Sequence, residues 1–267
     1  MALVLAGAGL GIYGVGAHVV PALTPQSCRV LVDGERDSMA PDQAANTATI
    51  SAIGLREGLG ERAVTIALAT AIQESKLRNL DHGDRDSLGL FQQRPSQGWG
   101  TPEQVQDPVY ASYVFYATLV DVPDYETRPL TEVAQDVQRS GHPEAYAPHE
   151  ERAALLAQAF TGAAPEAVTC TLAPAEQAGD PAAVGDQLAR EFDVTPEVDA
   201  DRVSVTFASH ELAWAGAHWA VAHAAGSGAN AVSVGDRRWE RGRTGASRTW
   251  QQVEGDVDPL RVTIDFR

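Results

Sequence analysis

The segment ERAVTIALATAIQES, residues 61–75, restricts the fold more than any other part of this 267-residue chain. It is almost wholly apolar from Ala63 to Ile72, so apolar side chains would lie on every face of a helix. Such a helix is stable in water only when other elements surround it. Helical periodicity recurs at about 41–57, 107–121, 130–140 and 148–161. The sequence therefore predicts an all-α domain over residues 41–168, with this helix at its centre.

Residues 2–23 form a second apolar stretch, ALVLAGAGLGIYGVGAHVVPAL, without any Asp, Glu, Lys or Arg. A helix of this length can cross a bilayer, so residues 1–24 are predicted to be a transmembrane anchor. A cleaved signal peptide is the alternative. The anchor would hold the protein on the extracytoplasmic face of the membrane, with residues 25–40 as an irregular tether, whereas cleavage would release it. The net charge of −16 argues against nucleic acid as a partner, because phosphates attract Lys and Arg.

The chain has two cysteines, Cys28 and Cys170, which flank the predicted helical domain. Exported proteins with an even number of cysteines commonly form disulfides. We therefore predict a disulfide between them; two unrelated buried thiols are the alternative.

The sequence changes character after residue 168. Residues 169–186 are rich in Ala, Pro, Asp and Glu and are predicted to be a linker. Apolar residues then alternate from Val203 to Phe207, as in a half-buried strand. The following ELAWAGAHWAVAHAA, residues 211–225, has the composition of a helix. Residues 187–267 are therefore predicted to form a small α+β module.

Two histidines on that predicted helix, His218 and His223, raise the question of a metal site. They lie five residues apart and would point to different faces, unlike the i, i+4 pair of a zinc-binding helix. The sequence therefore predicts no metal site and no cofactor.

Glu74 lies at the C-terminal end of the apolar helix, and a long polar loop over residues 78–106 follows it. Burial penalises a carboxylate, so this position would raise the pKa of the Glu74 carboxyl. A carboxyl group that stays protonated near neutral pH can act as a general acid. A surface-facing residue or a helix-cap partner is the structural alternative for Glu74.

The motif around Glu74 has a recognisable spacing. Glu74-Ser75 is followed, fifteen residues after the glutamate, by Gly89-Leu90-Phe91-Gln92-Gln93-Arg94-Pro95. This pattern resembles the lytic transglycosylases and goose-type lysozymes, in the form found in exported actinobacterial proteins with the run DSLGLFQQRPSQGWGT. The resemblance implies a lysozyme-like domain over residues 41–168 with Glu74 as the catalytic acid. It also implies a sugar-binding segment made of Ser75, Gly89, Leu90, Gln92 and Gln93.

The chain departs from this family at a second motif. The family has Ala-Tyr-Asn-x-Gly, in which a tyrosine faces the acid, whereas this sequence has VQRSGHPEAYA. Gln138 and Tyr146 are candidates to replace that tyrosine, and Tyr146 is therefore included among the substrate-binding residues; a structural role is open for both. Trp99, in a Gly-Trp-Gly loop, is a further candidate for stacking on a sugar.

A second carboxylate would decide the reaction type, because ordinary glycosidases use two acids. Asp84 and Asp86 lie in the polar loop and are the candidates. Alternatively, these aspartates pair with Arg85 or Arg94 and brace the loop.

The sequence as a whole predicts an α+β protein with an N-terminal transmembrane helix, a lysozyme-like helical domain and a small α+β module. The resemblance implies a peptidoglycan-cleaving enzyme that acts on the MurNAc–GlcNAc strand as a lytic transglycosylase. A hydrolytic muramidase and a non-catalytic wall-binding or scaffold protein are the alternatives. The expected partners are peptidoglycan glycan strands and, through residues 2–23, the membrane.

Overall fold

The computed structural model describes residues 25–139, 143–255 and 257–267. The predicted membrane anchor, residues 2–23, lies outside the described residues. Within the described ranges, no helix is both long enough and apolar enough to cross a membrane. The described chain is a mixed α+β structure, as the sequence predicts.

The central helix is α2, Glu61–Ser75, which follows α1, Pro41–Arg56. Every residue of α2 from Ala63 to Ile72 is buried, as its composition predicts. Burying each large aliphatic side chain contributes about 1.5–3 kcal/mol, so this helix is a rigid support for the residues at its end. The remaining helices of this region are α3 (Pro102–Val105), α4 (Pro108–Leu119), α5 (Leu130–Gln138) and α6 (Glu150–Phe160).

Residues 25–40 form a β-hairpin, so the prediction of an irregular tether is wrong. β1, Ser27–Val32, and β2, Glu35–Met39, pair antiparallel. Asp33 and Gly34 join them with positive φ angles of 50° and 88°, the backbone of a two-residue type I′ turn. An Asp-Gly pair between alternating apolar residues is the local signal for such a hairpin.

The hairpin belongs to a three-stranded sheet, which the prediction of an all-α domain did not include. β3, Val168–Thr171, pairs antiparallel with the free edge of β1, which gives the strand order β2-β1-β3. Cys28 and Cys170 are direct cross-strand partners and form a disulfide, which confirms the predicted bond. The two cysteines are 142 residues apart, and closing a loop of this length contributes about 5 kcal/mol in the loop-entropy model.

The C-terminal part of the chain contains two helices and a six-stranded antiparallel sheet of order β4-β5-β9-β6-β7-β8. The helices are α7 (Pro181–Phe192) and α8 (His210–Ser227). The strands are β4 (Glu197–Val198), β5 (Arg202–Thr206), β6 (Ala231–Val234), β7 (Arg237–Glu240), β8 (Gln251–Gln252) and β9 (Arg261–Asp265).

The C-terminal part packs directly on the helical region, and the two share one hydrophobic core. At Gly162 an added Cβ would lie 1.8 Å from the carbonyl oxygen of Glu211 in α8, so the two backbones are in close contact. The indole Nε1 of Trp250 donates to Val168 O at 3.0 Å. The predicted linker, residues 169–186, begins inside β3 and ends inside α7. That prediction is wrong at both ends, because composition alone does not show which strands pair across the boundary.

Candidate active site

The turn that ends α2 is held in an unusual backbone conformation. Lys76 and Leu77 have positive φ angles of 56° and 61°, and this region costs a residue with a Cβ about 1–2 kcal/mol. Two side-chain amides of α1 stabilise the turn. Gln43 Nε2 donates to Lys76 O at 2.7 Å, and Asn46 Nδ2 donates to Leu77 O at 2.8 Å. The helix therefore stops at a defined place, with Glu74 in its last turn.

The Glu74 carboxyl group is half-buried and accepts a hydrogen bond of 2.7 Å from the Tyr146 hydroxyl at Oε1. The Gln138 side chain is a second hydrogen-bond partner. Burial raises the pKa of the Glu74 carboxyl above its ordinary value, while the hydrogen bonds from Tyr146 and Gln138 oppose the rise. The position thus combines a carboxyl group biased towards its protonated form with neutral donors that orient it.

Tyr146 is fully buried and held by the chain around it. It lies between two short 3₁₀ turns, Pro143–Ala145 and Ala147–His149. The His149 ring nitrogen Nε2 lies 2.8 Å from the Gln73 side-chain oxygen, which fixes the second turn to α2 beside Glu74. The hydroxyl of Tyr146 therefore has a fixed direction towards the acid.

Three residues predicted to bind substrate are instead buried supports of the loop. The Ser75 hydroxyl lies 2.7 Å from Leu90 O and 3.0 Å from Ala71 O, so it joins the loop to α2. The Leu90 side chain is fully buried. Gln93 is also buried, and its Nε2 donates to Ala111 O at 3.1 Å. The prediction that these three side chains contact sugar is corrected, because none presents a polar atom to solvent.

Gly89 and Gln92 have different roles in the same segment. Gly89 has a φ of 77°, and a Cβ there would lie 2.2 Å from Val105 O, so only glycine fits. Gln92 is half-buried, and its Nε2 makes two long hydrogen bonds of 3.3 Å, to His82 O and Gly89 O. Gly89 shapes the loop, while the Gln92 amide is the member of this segment that a ligand can still reach.

The two loop aspartates differ in how firmly they are held. Asp86 accepts from Arg94 Nε and from the backbone N–H of Ser96, both at 2.8 Å. These bonds hold the pKa of the Asp86 carboxyl well below its usual range. Asp84 is almost fully exposed, and its nearest cation is Arg85 at 3.9 Å. Asp86 therefore braces the loop, which is the structural alternative described for it above.

Trp99 is half-buried and packs against the hydrophobic core, so part of its ring stays exposed. The neighbouring Gly100 has a φ of 139° and lies against Tyr110, where a Cβ would approach the ring to 2.9 Å. Trp99 therefore remains a candidate for stacking on a sugar, whereas Tyr110 packs against the loop backbone.

Sequence reasoning missed the Gln73–His149 contact, because its partners are 76 positions apart and belong to no motif. It named Tyr146 and Gln138 only as replacements for a family motif, and the structure brings both to Glu74. A signal was present in the sequence: both lie in the one segment, residues 138–146, where the family has its tyrosine.

A cavity of about 810 Å³ lies away from Glu74. It is lined by residues 173–180, by the C-terminal end of α8 and by Arg241. Within the described ranges, no group of three or more His, Cys, Asp or Glu is placed to hold a metal ion. The chemistry that the described residues support is therefore centred on the Glu74 carboxyl.

Comparison of the sequence with models of known protein families finds no match. Comparison with curated proteins finds no match either. The features of this chain that bear on its function are therefore the geometry around Glu74 and the spacing of the motif that begins at Glu74-Ser75.

Proposed function

We propose that the protein cleaves the glycan strand of peptidoglycan as a lytic transglycosylase, with Glu74 as its single catalytic acid. The observation that carries the proposal is the 2.7 Å hydrogen bond from Tyr146 to a half-buried Glu74 carboxyl whose pKa is raised. A raised pKa keeps a carboxyl group protonated nearer neutral pH, as a general acid requires. The hydrogen bond from the buried Tyr146 fixes the orientation of the Glu74 carboxyl group.

In the proposed reaction, the Glu74 carboxyl donates its proton to the oxygen of the glycosidic bond, and the GlcNAc side leaves as an alcohol. The acetamido group of the MurNAc residue assists at C1, in place of a second protein carboxylate. The Glu74 carboxylate then accepts the proton of the MurNAc 6-hydroxyl as that oxygen attacks C1. The product is a 1,6-anhydro sugar, the proton returns to Glu74, and no water is consumed.

Transglycosylation is favoured over hydrolysis because a hydrolase needs a second carboxylate to hold water. Asp86 has an oxygen occupied by Arg94 and the other by the Ser96 N–H. Asp84 is solvent-exposed, and its nearest cation, Arg85, is 3.9 Å away. Neither is organised as a water-holding base, whereas a single-acid mechanism needs neither.

The disulfide supports an extracytoplasmic location, because such bonds persist in oxidising compartments. Export of the chain, with residues 2–23 as a membrane anchor, is part of the proposal. Partition of the full-length protein between membrane and soluble fractions tests it: recovery with the soluble cytoplasmic fraction contradicts it.

Digestion of purified peptidoglycan tests the activity. The expected products are muropeptides that are one water lighter than those of a hydrolase, since the anhydro end replaces a reducing end. Products of full mass would identify a muramidase. No release by wild-type protein, with retained binding to the wall, would identify a non-catalytic wall-binding protein. A Glu74→Gln preparation, processed in parallel, controls for contaminating enzymes.

A further inference from the structure

We propose that Trp214 is the platform of a second sugar-binding site, separate from Glu74, which takes one neutral sugar ring of a glycan strand. The site is a surface depression of about 280 Å³ at the N-terminal end of α8. It is lined by His210 and Trp214 of α8, by the β6–β7 turn at residues 234–236 and by Pro259. Ligand sites usually measure about 300–1,000 Å³, so this volume suits one ring and not a chain. Binding here needs no catalysis, and the proposal therefore goes beyond the cleavage proposed above.

The five tryptophans of the chain differ in the state of their indole N–H groups. Trp219, Trp239 and Trp250 donate theirs to acceptors inside the protein, at 2.7, 3.1 and 3.0 Å. Trp99 and Trp214 are half-buried, and neither indole N–H has an acceptor among the residues that the structure describes. A free N–H on a partly exposed ring is typical of a tryptophan with an apolar body and a wet end. Trp214 therefore shares the features that make Trp99 a candidate for contact with sugar.

The ring of Trp214 is held in place from behind. It makes a T-shaped contact with Trp250, with 5.1 Å between the ring centroids and 79° between the planes. Trp250 is buried and is anchored by its bond to Val168 O. The buried ring of His218 lies 5.3 Å from Trp214, again between centroids. A ring that is already fixed loses little conformational entropy when a ligand binds, so Trp214 is a preformed platform.

Asp236 places a hydrogen-bond acceptor at the edge of the depression. Its side chain is 49% exposed, and its Oδ2 lies 3.3 Å from Gln252 Nε2 and 3.5 Å from Arg237 Nη1. Its Oδ1 has no partner in the described part of the chain and is free to accept. At Gly235 an added Cβ would lie 3.3 Å from Pro259 Cα, so the turn that carries Asp236 packs against the wall of the depression. The site thus offers one N–H donor and one carboxylate acceptor beside an aromatic ring.

This combination of groups selects the chemistry of the ligand. A hydroxyl group can accept from the Trp214 N–H and can donate to the Asp236 carboxylate, and a sugar ring has several hydroxyls besides an apolar C–H face. An ammonium group has donors only, so it leaves the indole N–H without an acceptor. An anion is repelled by Asp236 and by the net charge of −16. A purely apolar partner would bury both polar groups unpaired. GlcNAc, the neutral sugar of the peptidoglycan strand, fits these requirements.

NMR of the indole N–H groups in the full-length protein tests the site, with the GlcNAc tetramer as the probe. The Trp214 signal is identified by its loss in Trp214→Phe, or, if that variant does not fold, by its contacts with the Trp250 ring. The titration uses Trp99→Phe, so that binding beside Glu74 does not contribute. We expect the Trp214 signal to shift and saturate as tetramer is added, while the signals of Trp219 and Trp239 stay in place. A Trp214 signal that does not move up to the solubility limit of the tetramer overturns the proposal.

The substitution Asp236→Ala tests the acceptor. The Kd read from the Trp214 signal should rise about tenfold, the effect of one lost hydrogen bond to a charged group. The matched control is Glu240→Ala, an exposed acid of β7 outside the depression, which should leave the Kd unchanged. If Asp236→Ala does not fold, Asp236→Asn replaces it, with the same direction of change. An unchanged Kd in the Asp236 variant, or a Trp214 signal that moves with lysine amide but not with the tetramer, overturns the proposed ligand.

The two proposals fail in distinguishable ways. Tetramer binding at Trp214 by a wild-type protein that releases no muropeptides would support this site and overturn the proposed cleavage. Release of anhydro muropeptides by a protein whose Trp214 signal does not respond to the tetramer would support the cleavage and overturn this site.

Discussion

Glu74 and His218 are titratable groups of the same chain, and burial favours the neutral form of each. Burial raises the pKa of the Glu74 carboxyl and lowers the pKa of the His218 imidazole to about 4. Their surroundings differ. His218 is fully buried in α8, its Nδ1 donates to Ala159 O at 2.7 Å, and its ring packs beside Trp214 and Trp250. Glu74 keeps part of its surface exposed.

A shifted pKa therefore does not identify a catalytic group by itself. The His218 ring is enclosed by the junction between two parts of the chain, so its shift is a consequence of packing. Glu74 has the same kind of shift together with exposure, two orienting donors and a turn held in a left-handed conformation. Backbone strain, burial and solvent access occur together at the Glu74 carboxyl, and this combination favours a functional role.

The largest expected effect is that of Glu74→Gln. Glutamine keeps the shape of the side chain but cannot donate a carboxylic proton, so activity on peptidoglycan should fall by roughly 10²–10⁴-fold. Stability near neutral pH should hold or rise, because a neutral amide is not penalised by burial as a carboxylate is. Release of soluble muropeptides and urea unfolding measure the two quantities. Full activity in this variant would remove Glu74 from the mechanism.

The substitution His218→Leu should give the reverse pattern. It removes the His218 bond to Ala159 O, which keeps its 3.2 Å bond from Gly162 N, so the free energy of unfolding should fall by about 0.5–1.5 kcal/mol, the net contribution of one hydrogen bond. Activity per folded molecule should remain that of the wild type. Urea unfolding with a parallel activity assay checks this expectation. A loss of activity larger than the loss of folded protein would contradict the distinction between the two sites.

Tyr146→Phe removes one donor from Glu74 with little change in shape. The pKa of Glu74 should rise, because Tyr146 lowers it in the wild type. The basic limb of the pH–rate profile should therefore move to higher pH. Stability should fall by about 1 kcal/mol for one lost hydrogen bond. A pH profile identical to that of the wild type would show that the tyrosine is only a packing residue.

The smallest expected effects are opposite pH dependences of stability at the two sites. Relative to Glu74→Gln, the wild type should lose stability as pH rises above 4.5, because the folded protein holds the Glu74 proton more tightly than the unfolded chain does. Relative to His218→Leu, it should lose stability as pH falls from 6.5 towards 4, because the unfolded chain binds the His218 proton more readily. Urea unfolding of the three proteins between pH 4 and 8 measures how each difference in stability changes with pH. Two differences that change in the same direction would contradict the opposite behaviour expected of Glu74 and His218.

The sequence predicts the local features of this protein well. The buried helix α2 and the acid at its end follow from composition and periodicity over fifteen residues. The pairing of β3 with β1 does not, because it joins residues about 140 positions apart. The β1–β2 hairpin had a local signal, the Asp33-Gly34 pair, which was overlooked. Ser75 and Gln93 were misassigned for a related reason. The sequence shows that these two side chains are polar, but it does not show what they bond. In the fold, Ser75 bonds Leu90 O and Gln93 bonds Ala111 O, so neither is left for a ligand.

The disulfide between Cys28 and Cys170 has a mechanical consequence. A pull on the chain at residue 25 reaches Cys28 almost at once and crosses through the covalent bond to β3. Glu74 and Tyr146 lie in the segment between the two cysteines, so a force applied at the chain ends bypasses them. The load passes instead to residues after Cys170, in the C-terminal part of the chain. A force between the two ends of the chain would therefore not act on the hydrogen bond between Tyr146 and Glu74.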